Sequence, residues 1–406
     1  MNDAQFAELS AWIAEAGLAG QSETSTLTGF CERIVALSLP LARANVVIDT
    51  LHPVYEGRAF TWKARQPQAA LSEYGRSPER SERWEHSPFY RLELSGEPLL
   101  RCKVTAATEN EFPIFSELRA DGITDYVAIA NRFAAEGIIG DMDCVYSSWA
   151  TDVSKGFPDT DVADLSRLMP LLALALKSAS LARVAETLVE TYLGRDAGRR
   201  VLQGRIDRGR ADRIEAVLWF SDLRNYTKIS DSAAPEQVIP LLNDYADAII
   251  SAIHGHGGDV LKLMGDGTLA IFTGDDRGRA CRLALAAASS ARRAIAAVNL
   301  RRAVENLPST DMYLGLHVGE VFYGNIGSKD RLDFTVVGPA VNEVSRIAGL
   351  CRSVDQPLLV SSAFASAIGE PKELLVSVGR FALRGVARAQ DLFTLENLAD
   401  TSVQDS

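Results

Sequence analysis

Phe6, Leu9, Trp12 and Ile13 fall on one helical face, and Gly17 and Gly20 close the short amphipathic helix they predict. From about 25 to 180 the pattern is mixed. VVIDTLH (46–52) and DYVAIA (125–130) read as strands. The apolar run that follows Asp159 and Asp161 reads as a long helix started by one of those carboxylates. Leu174, Leu181, Val184 and Leu188 extend a helical stripe, a short coiled-coil seam. The Gly- and Arg-rich stretch 194–213 reads as a connector. Beyond it the pattern is cleaner. IEAVLWF (214–220) is a buried strand, 235–258 a helix ended by glycines, and DVLKLMGDGTLAIF (259–272) a hairpin turning at Gly265-Asp266-Gly267. An Ala-rich helix (277–298), a strand pair (312–327) and a strand running into a helix (334–350) follow. The pattern predicts an α/β (α+β) chain with an N-terminal domain (1–180), a helical linker (181–213), a C-terminal domain (214–398) and a disordered tail (399–406).

The length of 406 residues suits two or three domains, and 47% hydrophobic with 23% charged residues is an ordinary globular balance. A net charge of -11 argues against a nucleic-acid binder, though not against an anionic nucleotide neutralised by metal ions. The five cysteines, at 31, 102, 144, 281 and 351, are widely spaced and form no CxxC pair, which suggests free thiols in a reducing compartment. The polar N-terminus lacks the marks of a signal peptide. The longest apolar stretch, Leu168 to Leu176, is about half a membrane span. The expectation is a cytoplasmic protein with no membrane partner.

Five positions carry candidate chemistry. Asp222 ends an apolar strand, where a carboxylate is costly to bury unless a positive charge meets it. Taken alone it also suits a helix N-cap. Asp266 sits in a Gly-Asp-Gly turn, where aspartate is an ordinary turn residue. Lys262 interrupts an apolar strand, a place where a lone lysine snorkels to the surface. Asn342 and Arg346, spaced i and i+4, share one helix face, which by itself would be a solvated one.

Together, FSDLRNYTKIS (220–230), VLKLMGDGTLAIF (260–272) and DFTVVGPAVNEVSR (333–346) resemble the three signature blocks of the class III nucleotide cyclases, in order and in spacing. The resemblance implies a ferredoxin-like catalytic domain that converts ATP to 3′,5′-cyclic AMP and pyrophosphate. By resemblance, Asp222, Asp266 and the backbone carbonyl of Leu223 hold two Mg²⁺ or Mn²⁺ ions. The turn formed by Arg224, Asn225, Tyr226 and Thr227 receives the triphosphate. Lys262 donates to adenine N1 and Thr335 accepts from the 6-amino group, which favours ATP over GTP. Many members have an aspartate where Thr335 stands, and Asp333 lies two residues too early to be it. Asn342 positions the ribose and Arg346 stabilises the pentavalent phosphorus. Arg384, with Arg388 as the second choice, reaches the terminal phosphates. The family works as a head-to-tail dimer. For a homodimer here, Asp222 and Asp266 come from one chain and Lys262, Thr335, Asn342 and Arg346 from the other.

The stretch DMYLGLH (311–317) departs from the pattern, because many members carry a phosphate-binding arginine where Tyr313 or Asp311 stands here. Residues 125–179 are similar to the C-terminal half of a GAF domain, which implies a regulatory domain that binds a small molecule or dimerises. His52 and His86 are candidate haem or metal ligands, with plain hydrogen-bonding histidines the alternative. Trp62, Trp84 and Phe89 read as core. Two other functions compete: a guanylate cyclase, and a catalytically inactive nucleotide-binding module. GGDVL (257–261) lacks the Glu-Phe of the diguanylate cyclase signature.

Overall fold

The computed structural model describes the chain except residues 67, 76, 134–138, 141, 370–374, 385, 387, 388 and 396–406. Arg388 and the expected tail, 399–406, lie outside the described residues. The chain divides into two units, Met1–Leu188 and Val189–Ser406. The division falls inside the stretch 181–213.

The first unit opens with α1 (Asp3–Leu18). A capping box fixes its start: the Gln5 N–H donates to the Asn2 side chain and the Asn2 N–H donates to the Gln5 side chain. Then come α2 (Glu23–Ala36), β1 (Arg43–Asp49), β2 (Gly57–Lys63), β3 (Ala70–Tyr74), α3 (Pro78–Glu85), α4 (Pro88–Ser95), β4 (Leu99–Lys103), α5 (Ile114–Ala120), β5 (Asp125–Arg132), β6 (Cys144–Thr151) and α6 (Asp159–Leu193). The six strands make one antiparallel sheet in the order β3-β2-β1-β6-β5-β4. One face packs on α1, α2 and α6 through Phe30, Phe60, Trp149, Leu165 and Leu168. The other packs on α4 and α5 through Phe89, Phe115, Leu118, Tyr126 and Tyr146.

Helix α6 is long and apolar enough to cross a membrane by length and composition. Leu165, Leu168, Met169, Leu172 and Leu176 are instead buried in the first core. The expected apolar seam does not keep to one environment, since Leu174 is 64% exposed and Val184 is buried. Two buried acids tie the unit together. Glu23 accepts from Arg58 at 2.7 Å and from Ser180 of α6 at 3.2 Å. Asp125 accepts from Arg101 at 2.7 Å, Lys103 at 2.9 Å and the Phe157 N–H at 2.9 Å.

The second unit comprises α7 (Arg195–Leu202), β7 (Ala211–Leu223), α8 (Tyr226–Ser232), α9 (Pro235–Gly255), β8 (Asp259–Met264), β9 (Gly267–Phe272), α10 (Arg277–Val304), β10 (Met312–Gly327), β11 (Leu332–Val337), α11 (Pro339–Leu350), β12 (Leu358–Ser361), α12 (Ser362–Ala367), β13 (Leu375–Phe381) and β14 (Gln390–Leu395). Its sheet runs β13-β14-β12-β10-β7-β9-β8, with β11 paired to β10. Residues of β7 alternate faces. Val217 and Trp219 join the core under α9 and α10, while Ala216 and Leu218 join a second core with Val321 and Val344 of α11.

The stretch 312–327, expected as a strand pair, is one strand of 16 residues. Its glycines look like turn signals in sequence but serve close packing. A Cβ on Gly315 would lie 2.7 Å from the Ala348 nitrogen, and one on Gly319 would lie 2.6 Å from Ala340 Cβ. Only a strand without side chains at these points lets α11 lie so near.

Candidate active site

Two strand pairings place the first carboxylate. Ser221 of β7 lies opposite Thr268 of β9, so Asp222 comes level with Gly267 at the β8–β9 turn. On its other side Asp222 lies opposite Tyr313 of β10. Asp222 is inside β7, one residue before its end, and not at a helix cap. Asp266 occupies the turn after Gly265, whose φ of +65° glycine adopts without strain. The two carboxylates meet: burial, a hydrogen bond to Asp266 and that group's charge push Asp222 up to about 6.

Carboxylate oxygens beside backbone carbonyls form a hard donor set, which fits Mg²⁺ or Mn²⁺. A dication between Asp222 and Asp266 would also remove their mutual repulsion. Among the described residues no group of three or more His, Cys, Asp or Glu side chains is gathered. Further ligands would therefore come from the backbone, from water or from a bound phosphate chain.

The expected triphosphate turn follows directly. Leu223 is buried at the end of β7, and Asn225 enters α8 in the left-handed region at φ 57°. Tyr226 and Thr227 open that helix of 7 residues. The Arg224 N–H donates to the Asp311 carbonyl at 2.8 Å, and the Arg224 carbonyl accepts from Thr310 Oγ1. These bonds fasten the turn to the segment leading into β10.

The Arg224 side chain was not singled out in the sequence. Its guanidinium lies over the Tyr313 ring, 5.6 Å from the centroid, and Tyr313 faces Asp222. Arg224 Nη2 also lies 3.9 Å from Asp355 Oδ1, so the guanidinium stands near both Tyr313 and that acid. The only signal in sequence was its place inside the first block, two residues after Asp222.

Lys262 and Thr335, the expected purine contacts, lie elsewhere in the chain. The Lys262 ammonium donates to the Asp333 carboxylate. Asp333 and Thr335 are two apart on β11 and so share a face. Asp333, two residues before Thr335, is thus the acid that Lys262 reaches. Thr335 lies opposite Gly324 of β10, whereas Asp222 lies opposite Tyr313. From 313 to 324 is about 36 Å of strand contour.

Asn342 is exposed and Arg346 half-buried on α11, and neither side chain makes a hydrogen bond or ion pair among the described residues. Arg384 is exposed beyond β13 and likewise has no such partner among them. His52 Nδ1 accepts from the Val54 and Tyr55 N–H groups, and His86 Nδ1 bonds the Glu82 carbonyl, so both act in local hydrogen bonding. Trp62 and Phe89 are buried and Trp84 is half-buried.

The sequence profile of the adenylate and guanylate cyclase catalytic domain matches residues 210–397. The C-terminal unit belongs to the class III nucleotide cyclases. Adenylate cyclase 1 of Rhizobium meliloti (strain 1021) is 28% identical over 222 residues, covering 52% of this chain and 33% of its own length. An adenylate cyclase of Anabaena cylindrica is 33% identical over 171 residues, covering 41% of this chain and 33% of its own. The chain thus spans about a third of the length of these curated cyclases. The crystal structure of the adenylyl cyclase CyaB from P. aeruginosa is 22% identical, with a TM-score of 0.42 over 46% of this chain and 95% of its own. Cyclases of this class act on nucleotides, use divalent metals and often dimerise.

Proposed function

We propose that the protein is an adenylate cyclase that converts ATP to 3′,5′-cyclic AMP and pyrophosphate, acting as a head-to-tail homodimer under control of its first unit. The observation that carries the reading is the meeting of Asp222 and Asp266, with Lys262 paired to an acid beside Thr335 on another part of the sheet. An ammonium donor flanked by acceptors suits adenine, which offers an acceptor at N1 and a donor at its 6-amino group. Guanine offers an N–H at N1 and would meet the ammonium with like polarity. The relatives named adenylate cyclase agree with this choice.

In this reading Asp222, Asp266 and the Leu223 carbonyl of one copy would hold two Mg²⁺ or Mn²⁺ ions. When bound, the ions lower the pKa of the ribose 3′-hydroxyl and neutralise the phosphates. Lys262, Thr335, Asn342 and Arg346 come from the other copy. The 3′-oxygen bonds to the α-phosphorus as the bond to the β-phosphate oxygen breaks, and the hydroxyl proton leaves to solvent. Asn342 orients the ribose, and the free Arg346 guanidinium meets charge that builds up only in the transition state. Arg224, and Arg384 from the far end of the domain, would hold the departing pyrophosphate.

The test is turnover by the purified full chain with Mg²⁺ or Mn²⁺ and either ATP or GTP, following cyclic nucleotide and pyrophosphate together. Cyclic AMP should form at least tenfold faster than cyclic GMP. Equal turnover of GTP would make it a cyclase without this base preference. Nucleotide binding without pyrophosphate release would make it a binding module.

A further inference from the structure

The face of the first unit's sheet that carries α4 and α5 encloses a cavity of about 460 Å³, a size suited to small-molecule binding. Three strands in register build its floor. Asn45 of β1 lies opposite Ser148 of β6, and Arg43 and Tyr126 flank Ala150 from either side. The small side chains of Ser148 and Ala150, set among these larger ones, leave the space open. Pro88 and Phe89 at the start of α4 form one wall, and Ile114 and Leu118 of α5 form another. Flat rings and aliphatic groups therefore surround most of it.

The charged groups at its edge are unequal. Arg43 donates to Glu117 at 2.8 Å, so those two charges answer each other within the lining. Arg83 also lines the cavity and makes no ion pair among the described residues. His86 Nδ1 donates to the Glu82 carbonyl at 2.8 Å, so Nε2 of the neutral ring is an acceptor open to a ligand N–H or O–H. The surplus is one guanidinium. That matches a single carboxylate better than a phosphate ester, which carries close to two charges near neutral pH.

We propose that this cavity binds a small monocarboxylate with a flat apolar body, the ring against Phe89 and Tyr126 and the carboxylate at Arg83. The inference does not rest on the cyclase reading, and its readout is binding. Calorimetric titration of the full chain with indole-3-acetate and with its neutral analogue indole-3-acetamide tests it. The acid should bind, and the amide should bind at least tenfold more weakly. Arg83→Gln should bring the acid down to the affinity of the amide. Ala150→Leu should fill the floor and abolish binding of both while near-ultraviolet circular dichroism stays native. Equal affinities for acid and amide, no heat from the acid up to about 1 mM, or undiminished binding in folded Ala150→Leu would each overturn the proposal. Arg83 is exposed, so Arg83→Gln carries the test alone should the filled variant not fold.

Discussion

Lys262 on β8 donates its ammonium to the carboxylate of Asp333, 71 residues later on β11. The acid holds the lysine at the edge of β11 where Thr335 also faces, so two acceptors and one donor stand together.

Asp333→Asn keeps an acceptor but removes the charge that fixes the ammonium. The pair is exposed, and such pairs are worth at most about 1 kcal/mol. Steady-state kinetics should show KM for ATP rising by up to roughly fivefold with kcat little changed, and competition assays a smaller preference for ATP over GTP. An unchanged KM and preference would remove Asp333 from base recognition.

Asp222→Ala and Arg346→Ala should each abolish most activity, with losses of about a hundredfold or more. Mixed in equal amounts, the two inactive proteins should recover about a quarter of wild-type activity, since half the pairs are mixed and each has one intact site. A mixture as inactive as its parts would place the whole site in one chain.

Arg224→Ala removes the guanidinium over Tyr313. KM for ATP should rise about tenfold, the effect of losing roughly 1.4 kcal/mol of charge-assisted bonding, with partial rescue by Arg224→Lys. If KM stays where it was, some other group takes that part of the phosphate charge.

The glycine spacing of β10 gives a packing test. Gly315→Ala forces a Cβ to within 2.7 Å of the Ala348 nitrogen, so α11 must move and carry Asn342 and Arg346 with it. Stability should fall by about 1–3 kcal/mol, and kcat by about a hundredfold, as for a misplacement near 1 Å. Gly349→Ala is the control, because a Cβ there meets nothing within 4 Å. Equal effects from both changes would discount the close approach.

Asp125 predicts the acid limit of the first unit. Burial alone would raise its pKa, but Arg101, Lys103 and the Phe157 N–H outweigh it and hold the carboxyl below its usual value. A depressed pKa stabilises the fold fully above the unfolded value near about 3.9, and that contribution is lost as pH falls through the native value. The thermal midpoint should therefore drop below about pH 4. Asp125→Asn should flatten the drop and lower stability at pH 7 by about 2 kcal/mol. A midpoint with the same acid slope in the variant would assign the effect to other carboxylates.

What the sequence disclosed depended on how local the physics was. The hairpin at Gly265-Asp266-Gly267 was legible because turn chemistry sits within three residues. So was the meeting of the two aspartates, because the signature blocks carry their order. The single strand Met312–Gly327 was not. Its glycines answer to a helix packed across them, and a one-dimensional pattern shows only that side chains are missing. The Lys262–Asp333 bond and the cavity over Ser148 and Ala150 were hidden for the same reason, since each is made by strands distant in sequence.

Strand β10 keeps Tyr313 and Gly324 at opposite ends of one unbroken ribbon. Under the proposed division of labour, a lone molecule cannot close on its own nucleotide. Output would then grow with the square of concentration wherever pairs are scarce. Dilution alone would silence the protein, and anything that gathers copies would switch it on without altering a bond inside them.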